Sequence, residues 1–125
     1  DAERKKYDYV EKEMAEIVAC CREHQVISKV IFENCYLELE DKKALCAIAK
    51  EVGPDFVKTS TGFGCGGATV EDVALMKSLV GDKVKVKAAG GIRTLDTAIE
   101  MINAGAERIG STASVKIVEE LMARL

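Results

Sequence analysis

Segments typical of β-strands alternate with segments typical of α-helices along the whole chain, and this alternation limits the fold more than any other feature. The residue patterns predict strands over 29–33, 56–61, 84–89 and 108–111 and helices over about 9–23, 40–52, 70–80, 94–103 and 114–124. The recurrence of roughly 25 to 30 residues is that of a βα unit, and no two-residue hairpin turn separates any two strands. An α/β fold with a parallel sheet is therefore predicted, with ligands at the carboxyl ends of its strands.

Composition and charge narrow the function classes. The 125 residues are 48% apolar, which is enough for the core of one domain. The formal net charge is -3, and the sequence contains no block of lysines and arginines, so we expect no nucleic-acid partner. Apolar runs stay well below the roughly 20 residues of a membrane span, so we also expect no membrane association.

The cysteines indicate a reducing compartment. There are five of them, with no Cys-x-x-Cys pair and no signal-peptide pattern at the start of the chain. Reduced thiols in the cytoplasm fit this pattern best. The single histidine, His24, has no neighbours at metal-ligand spacing, so no metal site is predicted.

One predicted strand carries a lysine at its centre and runs into a glycine-rich loop. The segment 55–67 reads DFVKTSTGFGCGG, with Lys58 in the strand and glycines at 62, 64, 66 and 67. Glycines allow the backbone to approach a ligand closely. The sequence thus places an amine at the mouth of a binding loop.

A second lysine, Lys87, occupies the same place in the next strand. Side chains alternate across a strand, so Lys58 and Lys87 share one face while Val57 and Val86 point to the helices. Two ammonium groups in one poorly hydrated pocket lower a lysine pKa from about 10.4, and a neutral lysine can form a Schiff base with a carbonyl. The alternative is that both lysines extend to solvent from the strand ends.

Glycine-containing loops also follow the last two predicted strands. Gly90-Gly91 ends the third strand, and Gly110-Ser111-Thr112 ends the fourth. In barrels, the last two βα loops and a helix N-terminus commonly bind phosphate. These loops favour the interpretation that the lysines belong to a site for a phosphorylated ligand over the alternative that they extend to solvent.

The residues in these segments resemble a known family. The chain is similar to the deoxyribose-phosphate aldolase family of class I aldolases in the segments KVIFENCYL, DFVKTSTGF, GGATVEDVALM, VKAAGGIRT and AGAERIG. The resemblance implies a (β/α)8 barrel that cleaves 2-deoxy-D-ribose 5-phosphate to acetaldehyde and glyceraldehyde 3-phosphate, with no metal or organic cofactor. By position, Lys58 matches the Schiff-base lysine and Lys87 the second lysine, which takes part in proton transfer. The matching substrate-binding positions are Thr59, Thr61, Gly90, Gly91, Gly110, Ser111 and Thr112.

The sequence departs from that family in two respects. The family has a serine pair after the last strand, where this chain has Thr112 and Ala113, so one hydroxyl is missing. The chain also has four predicted strands where a barrel has eight, and residues 1–125 therefore resemble a single C-terminal half-barrel, one helix followed by four βα units. The family's relay aspartate lies in the other half. Glu33 is the nearest carboxylate here, and we expect it to form a salt bridge to one of the lysines.

A half-barrel leaves two open sheet edges and, by expectation, an apolar inner surface. We therefore expect a homo-oligomer or association with a missing N-terminal half. Two other functions remain open. The chain could be a catalytically inactive structural half, or part of a phosphate-binding barrel isomerase or synthase in which Lys58 acts only through its charge.

Overall fold

This computed structural model describes residues 2–61 and 66–125, with side chains from residue 5 onward. The strands are β1 (Lys29–Ile31), β2 (Phe56–Lys58), β3 (Lys85–Ala89) and β4 (Ala106–Gly110). The helices are α1 (Ala2–Glu23), α2 (Leu39–Val52), α3 (Val70–Val80), α4 (Leu95–Ala104) and α5 (Ser114–Arg124), and a short 3-10 turn covers Asn34–Tyr36. The loop glycines Gly62 and Gly64, predicted to lie near a ligand, and Cys65 fall outside the described residues.

The strands form one parallel sheet in the order β1-β2-β3-β4. Sequential order with a helix between successive strands confirms the predicted α/β architecture. Every strand therefore ends at the same edge of the sheet, and the loops after β2, β3 and β4 lie next to one another there.

The core lies between the sheet and the helices. Val57, Val86 and Ala88 are fully buried on the helix-facing side, where Val73 and Met76 of α3 belong to the same hydrophobic cluster. Burying a valine side chain contributes about 1.5 to 3 kcal/mol. The predicted alternation is confirmed, and it leaves the lysines of β2 and β3 on the opposite face.

Two predicted helix starts are confirmed and one is wrong. The hydroxyl oxygen of Thr69 accepts a hydrogen bond from the Asp72 amide, and Thr94 accepts one from the Thr97 amide, so both residues cap their helices. The residue pattern predicts that the first helix begins near residue 9, but α1 begins at Ala2. The alanine, glutamate, arginine and lysines before Asp8 are good helix formers, and they extend the helix backwards.

The strand boundaries also differ from those predicted. β2 ends at Lys58 instead of continuing to Thr61, because the Thr59 hydroxyl bonds to β3. β4 starts at Ala106, two residues early, and it equals β3 in length although it was predicted to be the shortest strand. A register shift between Val86 and Lys87 accommodates the longer pairing of β3 with β4.

The last helix is less buried than its pattern suggests. Helical spacing predicts that Val115, Val118, Leu121 and Met122 pack inward, yet all four are exposed, between 45% and 74%. Among the described residues of α5, Ile117 packs against the core. The prediction that these four side chains pack inward is therefore wrong, because the described chain provides no element to cover this face.

The open face of the sheet is cationic, not apolar as expected. Lys29, Lys85 and Arg108 surround the ring of Phe56, with their charged groups 5.8, 5.8 and 4.4 Å from its centroid. Lys58 and Lys87 follow Phe56 and Lys85 two residues along the same face. Because valines occupy the face of the sheet that packs against the helices, the long basic side chains of the same strands lie on the open face.

Cysteine chemistry is mixed. Cys20, Cys21 and Cys46 carry free thiols, and burial raises the pKa of the Cys46 thiol to about 11. Cys35 is disulfide-bonded, so the expectation that every cysteine is reduced is wrong at that position. None of the helices in the described parts of the chain combines the length and apolar character needed to cross a membrane.

Candidate active site

A cavity of about 290 Å³ lies at the carboxyl ends of β2, β3 and β4. It is where the parallel topology predicts a ligand site. Most of the predicted site residues line it, together with three that were given no role. The lining residues are Lys58, Thr61, Ala89, Gly90, Gly91, Ile92, Arg93, Gly110, Ser111 and Thr112.

Lys58, which lines this cavity, and Lys87 are direct neighbours in the sheet. Their Cα atoms are direct partners in the pairing of β2 with β3, and both side chains are half-buried on the open face of the sheet. The end of Lys87 passes over Gly110, where an added Cβ would lie 3.0 Å from Cε and 3.6 Å from Nζ. The sheet thus places the two lysines next to each other, with Lys58 lining the cavity and the end of Lys87 against Gly110 of its wall.

The electrostatic surroundings act on Lys87. Burial lowers the pKa of its amine below the ordinary lysine value, and the positive charges of Lys29, Lys58 and Arg108 lower it further. No salt bridge among the described residues involves Lys58 or Lys87. Lys87 therefore gives up its proton at a lower pH than a surface lysine does.

The backbone after β3 is shaped by close approach to the neighbouring loop. Gly90 and Gly91 have positive φ angles of 93° and 75°. The Ala68 amide donates a 3.0 Å hydrogen bond to the Gly90 carbonyl, and a Cβ at Gly67 would overlap that carbonyl oxygen. Only glycines fit at positions 67 and 90, where the two loops are in contact, and Gly90 lines one side of the cavity.

The Ser111 hydroxyl joins the loops after β3 and β4. It donates a hydrogen bond to the Ile92 carbonyl and accepts one of 2.9 Å from the Ala113 amide. Ala113 precedes α5 and gives that helix no side-chain cap. Ser111 thus sets the shape of the cavity wall at the N-terminus of α5.

The two threonines assigned to the site have different positions. Thr59 is fully buried, and its hydroxyl both donates to the Ala89 carbonyl and accepts from the Ala89 amide, each at 3.1 Å. Its side chain therefore joins β2 to β3 and is not among those lining the cavity, whereas Thr61 is.

Glu33 does not form the expected salt bridge. Its carboxylate accepts hydrogen bonds from the amide and the hydroxyl of Thr61 instead. Thr61 follows β2 and Glu33 follows β1, so the carboxylate links two neighbouring strand ends. A lysine partner was expected from charge alone, but the backbone geometry after β1 decides otherwise.

Arg93 was given no role from the sequence, although it lines the cavity. It is exposed and lies two residues after Gly91 of the Gly90-Gly91 turn. Arg93 lies one residue before the cap of α4 and shortly after a glycine pair. An arginine in this position indicates anion binding, and the sequence alone could have identified it.

The contact between Gly110 and Lys87 leads to a prediction. In a Gly110→Ala variant the new Cβ would lie 3.0 Å from the flexible end of Lys87 and 3.1 Å from the Ala89 Cβ, so both neighbours would have to shift by a few tenths of an ångström, at a cost of about 1 kcal/mol of unfolding free energy. We expect a several-fold slower capture of acetaldehyde on Lys58, measured by borohydride reduction, and a loss of stability in urea unfolding no larger than that of Gly91→Ala. Gly91→Ala is the comparison for stability, because its positive φ costs about 1 kcal/mol and no atom lies near its Cβ. Unchanged capture in Gly110→Ala would show that the position of Lys87 is unimportant.

Comparison with known proteins identifies relatives. No family model matches the chain. The deoxyribose-phosphate aldolase of Lactobacillus acidophilus is 61% identical over 121 residues, which are 97% of this chain and 51% of the relative. This chain is related to the C-terminal half of deoxyribose-phosphate aldolases. It spans about half the length of the curated relatives it matches.

Solved aldolase structures share the fold. A structure described as "QR15, an Aldolase" is 48% identical with a TM-score of 0.86, covering 98% of this chain and 54% of that one. The tetrameric deoxyribose phosphate aldolase of Aeropyrum pernix is 30% identical with a TM-score of 0.84, covering 95% of this chain and 51% of the other. The four-stranded sheet therefore corresponds to half of an aldolase TIM barrel.

Proposed function

We propose that this chain carries the Schiff-base half of an aldolase that reversibly cleaves 2-deoxy-D-ribose 5-phosphate to acetaldehyde and glyceraldehyde 3-phosphate. The observation that carries the proposal is the pairing of Lys58, which lines the cavity, with Lys87, whose pKa is lowered. The aldolase relatives support the reaction class. Lys58 is the proposed nucleophile, because it is the lysine that lines the cavity.

In the proposed reaction, the neutral Lys58 amine attacks the aldehyde carbon C1 of the open-chain sugar. The carbinolamine loses water to give an iminium ion. A base takes the proton of the C3 hydroxyl, the bond between C2 and C3 breaks, and its electron pair forms an enamine as glyceraldehyde 3-phosphate leaves. Protonation at C2 and hydrolysis then release acetaldehyde and restore the Lys58 amine.

Lys87 is the proposed proton carrier. Because its pKa is lowered, a larger fraction of the Lys87 amine is neutral near neutral pH than in an ordinary lysine. Its amine lies next to Gly110, beside the cavity that holds Lys58. The same group can therefore accept a proton in one step and return it in the next.

We assign the phosphate of the substrate to the loops after β3 and β4. Gly90, Gly91 and Gly110 allow backbone amides to approach an anion, and Ser111 fixes the start of α5 through the Ala113 amide. Arg93 adds a positive charge at the cavity wall. Thr112 supplies a hydroxyl where Ala113 has none, so backbone amides would provide most of the hydrogen bonds.

A second part must complete the pocket. The basic face around Phe56 is open in the described chain, and the relatives are about twice as long. We propose that a second four-stranded half closes the barrel, and that oligomers form from complete barrels. The competing proposal is an inactive structural half-barrel, which the open face favours for the isolated chain.

Borohydride trapping tests the function. We expect brief incubation with dilute acetaldehyde and sodium borohydride to ethylate Lys58, located by peptide mass mapping, while the exposed Lys43 and Lys50 stay unmodified. Equal labelling of all three lysines would contradict the proposed nucleophile.

A hybrid distinguishes the inactive alternative. The first half of the Lactobacillus acidophilus relative, joined to this chain, should cleave 2-deoxyribose 5-phosphate, whereas the chain alone should turn over far more slowly. A hybrid that folds but does not cleave the sugar phosphate would favour the structural half-barrel.

A further inference from the structure

Three basic side chains cover an aromatic ring on the open face of the sheet. Lys29, Phe56 and Lys85 are register partners across β1, β2 and β3. Arg108 of β4 lies nearest to the ring, with its guanidinium carbon 4.4 Å from the centroid. Phe56 is only 5% exposed although this face is open, whereas the three basic residues are exposed. A partner that docks on this face therefore meets positive charges and not the ring.

The described chain does not neutralise these charges. None of its salt bridges involves the three basic residues. Two carboxylates next to the same strands are engaged elsewhere, because Asp55 accepts hydrogen bonds from the amide and hydroxyl of Ser28 and Glu107 lies 2.7 Å from the Lys77 amine. The face therefore keeps a positive charge that the described part of the fold leaves unbalanced.

Closing the barrel would take these charges out of water. Burying an unpaired cation is strongly unfavourable, and a carboxylate that pairs with the cation offsets this cost. A guanidinium suits such a position, because it can bind a carboxylate through two parallel hydrogen bonds while it stacks on an aromatic ring. The element that covers this face must therefore bring carboxylates to the level of Phe56.

A second copy of this chain does not meet this requirement. A symmetric pair uses the same surface on both copies, so it would place the basic groups of one copy opposite those of the other. Like charges at a desolvated interface oppose association. The curated relatives, by contrast, are about twice as long as this chain, so each contains a further half that is available to cover this face.

We infer that the open face binds the complementary half of the barrel through carboxylates that pair with Arg108 and Lys85 at the level of Phe56. The inference rests on the proposed closure of the barrel by a second half, and it adds the chemistry of the contact. These carboxylates are distinct from the relay aspartate of the aldolase family, which the resemblance places with Lys87 in proton transfer. They hold the two halves together without touching the substrate.

The hybrid with the first half of the Lactobacillus acidophilus relative provides the test, because Arg108 is exposed in the isolated chain and would be covered in the hybrid. In Arg108→Met, the paired carboxylate loses its partner and stays buried, which is strongly destabilising. We expect the urea midpoint of the hybrid to fall by about 1 to 2 M. The midpoint of the isolated chain should change far less, because only the contact with the Phe56 ring is lost.

Two further variants complete this comparison. Arg108→Lys keeps a positive charge and should restore most of the lost stability of the hybrid. Lys43→Met removes a positive charge from the exposed surface of α2, so it should shift the midpoints of the hybrid and the isolated chain equally and slightly. If Arg108 were buried without a partner, its replacement by methionine would raise the midpoint of the hybrid. An unchanged or raised midpoint would therefore overturn the inference.

Sedimentation of the isolated chain tests the choice of partner without the hybrid. Arg108→Glu brings a carboxylate into a face that still contains Lys29 and Lys85, which makes two copies more complementary. At low salt we expect this variant to dimerise at least about tenfold more tightly than the wild type, with the difference reduced in about 1 M sodium chloride. Equal dimerisation of the two proteins at low salt would contradict the role of charge in selecting the partner and would overturn the inference.

These measurements use no aldehyde, so they are separate from the test of the proposed function. Absence of borohydride trapping on Lys58 would overturn the aldolase proposal, while the urea midpoints and the dimerisation would still decide the chemistry of this interface. Conversely, a hybrid that traps aldehydes but loses no stability in Arg108→Met would overturn the inference alone.

Discussion

Lys58→Met is expected to remove covalent capture of aldehydes at this site. Methionine keeps an unbranched apolar stem but has no amine, so no Schiff base can form. Capture of acetaldehyde at position 58 should vanish, and sugar cleavage by the hybrid with the Lactobacillus acidophilus half should fall at least about 10³-fold. Mass mapping after borohydride reduction and a turnover assay measure the two effects.

Lys85→Met is the comparison for this substitution. Lys85 lies on the same face of the sheet, one layer below, and its ammonium group contacts the Phe56 ring. Its replacement makes the same chemical change without removing the proposed nucleophile. We expect the adduct on Lys58 to persist in Lys85→Met, and turnover that survives in Lys58→Met would refute the covalent mechanism.

Lys87→Met is expected to slow the reaction without removing the nucleophile. General acid and base catalysis contributes about 10²- to 10⁴-fold, so turnover of the hybrid should fall by at least about 100-fold. An adduct on Lys58 should still form, more slowly, because the proton carrier is lost.

The same substitution has a consequence for stability against pH. The pKa of Lys87 is lower in the folded chain than the value of about 10.4 in the unfolded chain. Between these two pKa values the unfolded state binds more protons, so the free energy of unfolding contributed by Lys87 rises with pH in that window. Below the folded pKa its full destabilising effect is present.

We therefore expect Lys87→Met to be more stable than the wild type at neutral pH, and its stability to rise less between neutral pH and about pH 10. Urea unfolding at a series of pH values measures this, with Lys85→Met as the control. A variant whose pH profile parallels that of the wild type would mean that Lys87 titrates as an ordinary surface lysine.

The sequence was sufficient for the features that depend on periodicity. Strand and helix spacing predicted the parallel sheet, and the valines opposite Lys58 and Lys87 predicted which face holds the amines. The glycine pair at Gly90-Gly91 predicted the cavity edge. These features follow from one-dimensional rules of alternation and turn geometry, so no knowledge of distant contacts was needed.

The remaining site features depend on contacts between distant residues. Thr59 and Thr61 are two residues apart, yet one hydroxyl binds Ala89 inside the sheet and the other binds Glu33. A sequence pattern cannot tell the roles of these two threonines apart, because the difference arises where β2 ends.

The cationic face around Phe56 was not predicted for a related reason. Each basic residue is unremarkable alone, and only the strand register brings Lys29, Lys85 and Arg108 to one ring.

The most direct test of the account is a nuclear magnetic resonance titration of the lysine side chains. It follows the Lys87 Cε and Nζ signals in the wild type and in Lys58→Met. We expect the pKa of Lys87 to lie below the ordinary lysine value and to rise when Lys58 is replaced, because one neighbouring positive charge is gone. A Lys87 signal that titrates with the exposed lysines and does not respond to the loss of Lys58 would contradict the shared site of the two amines.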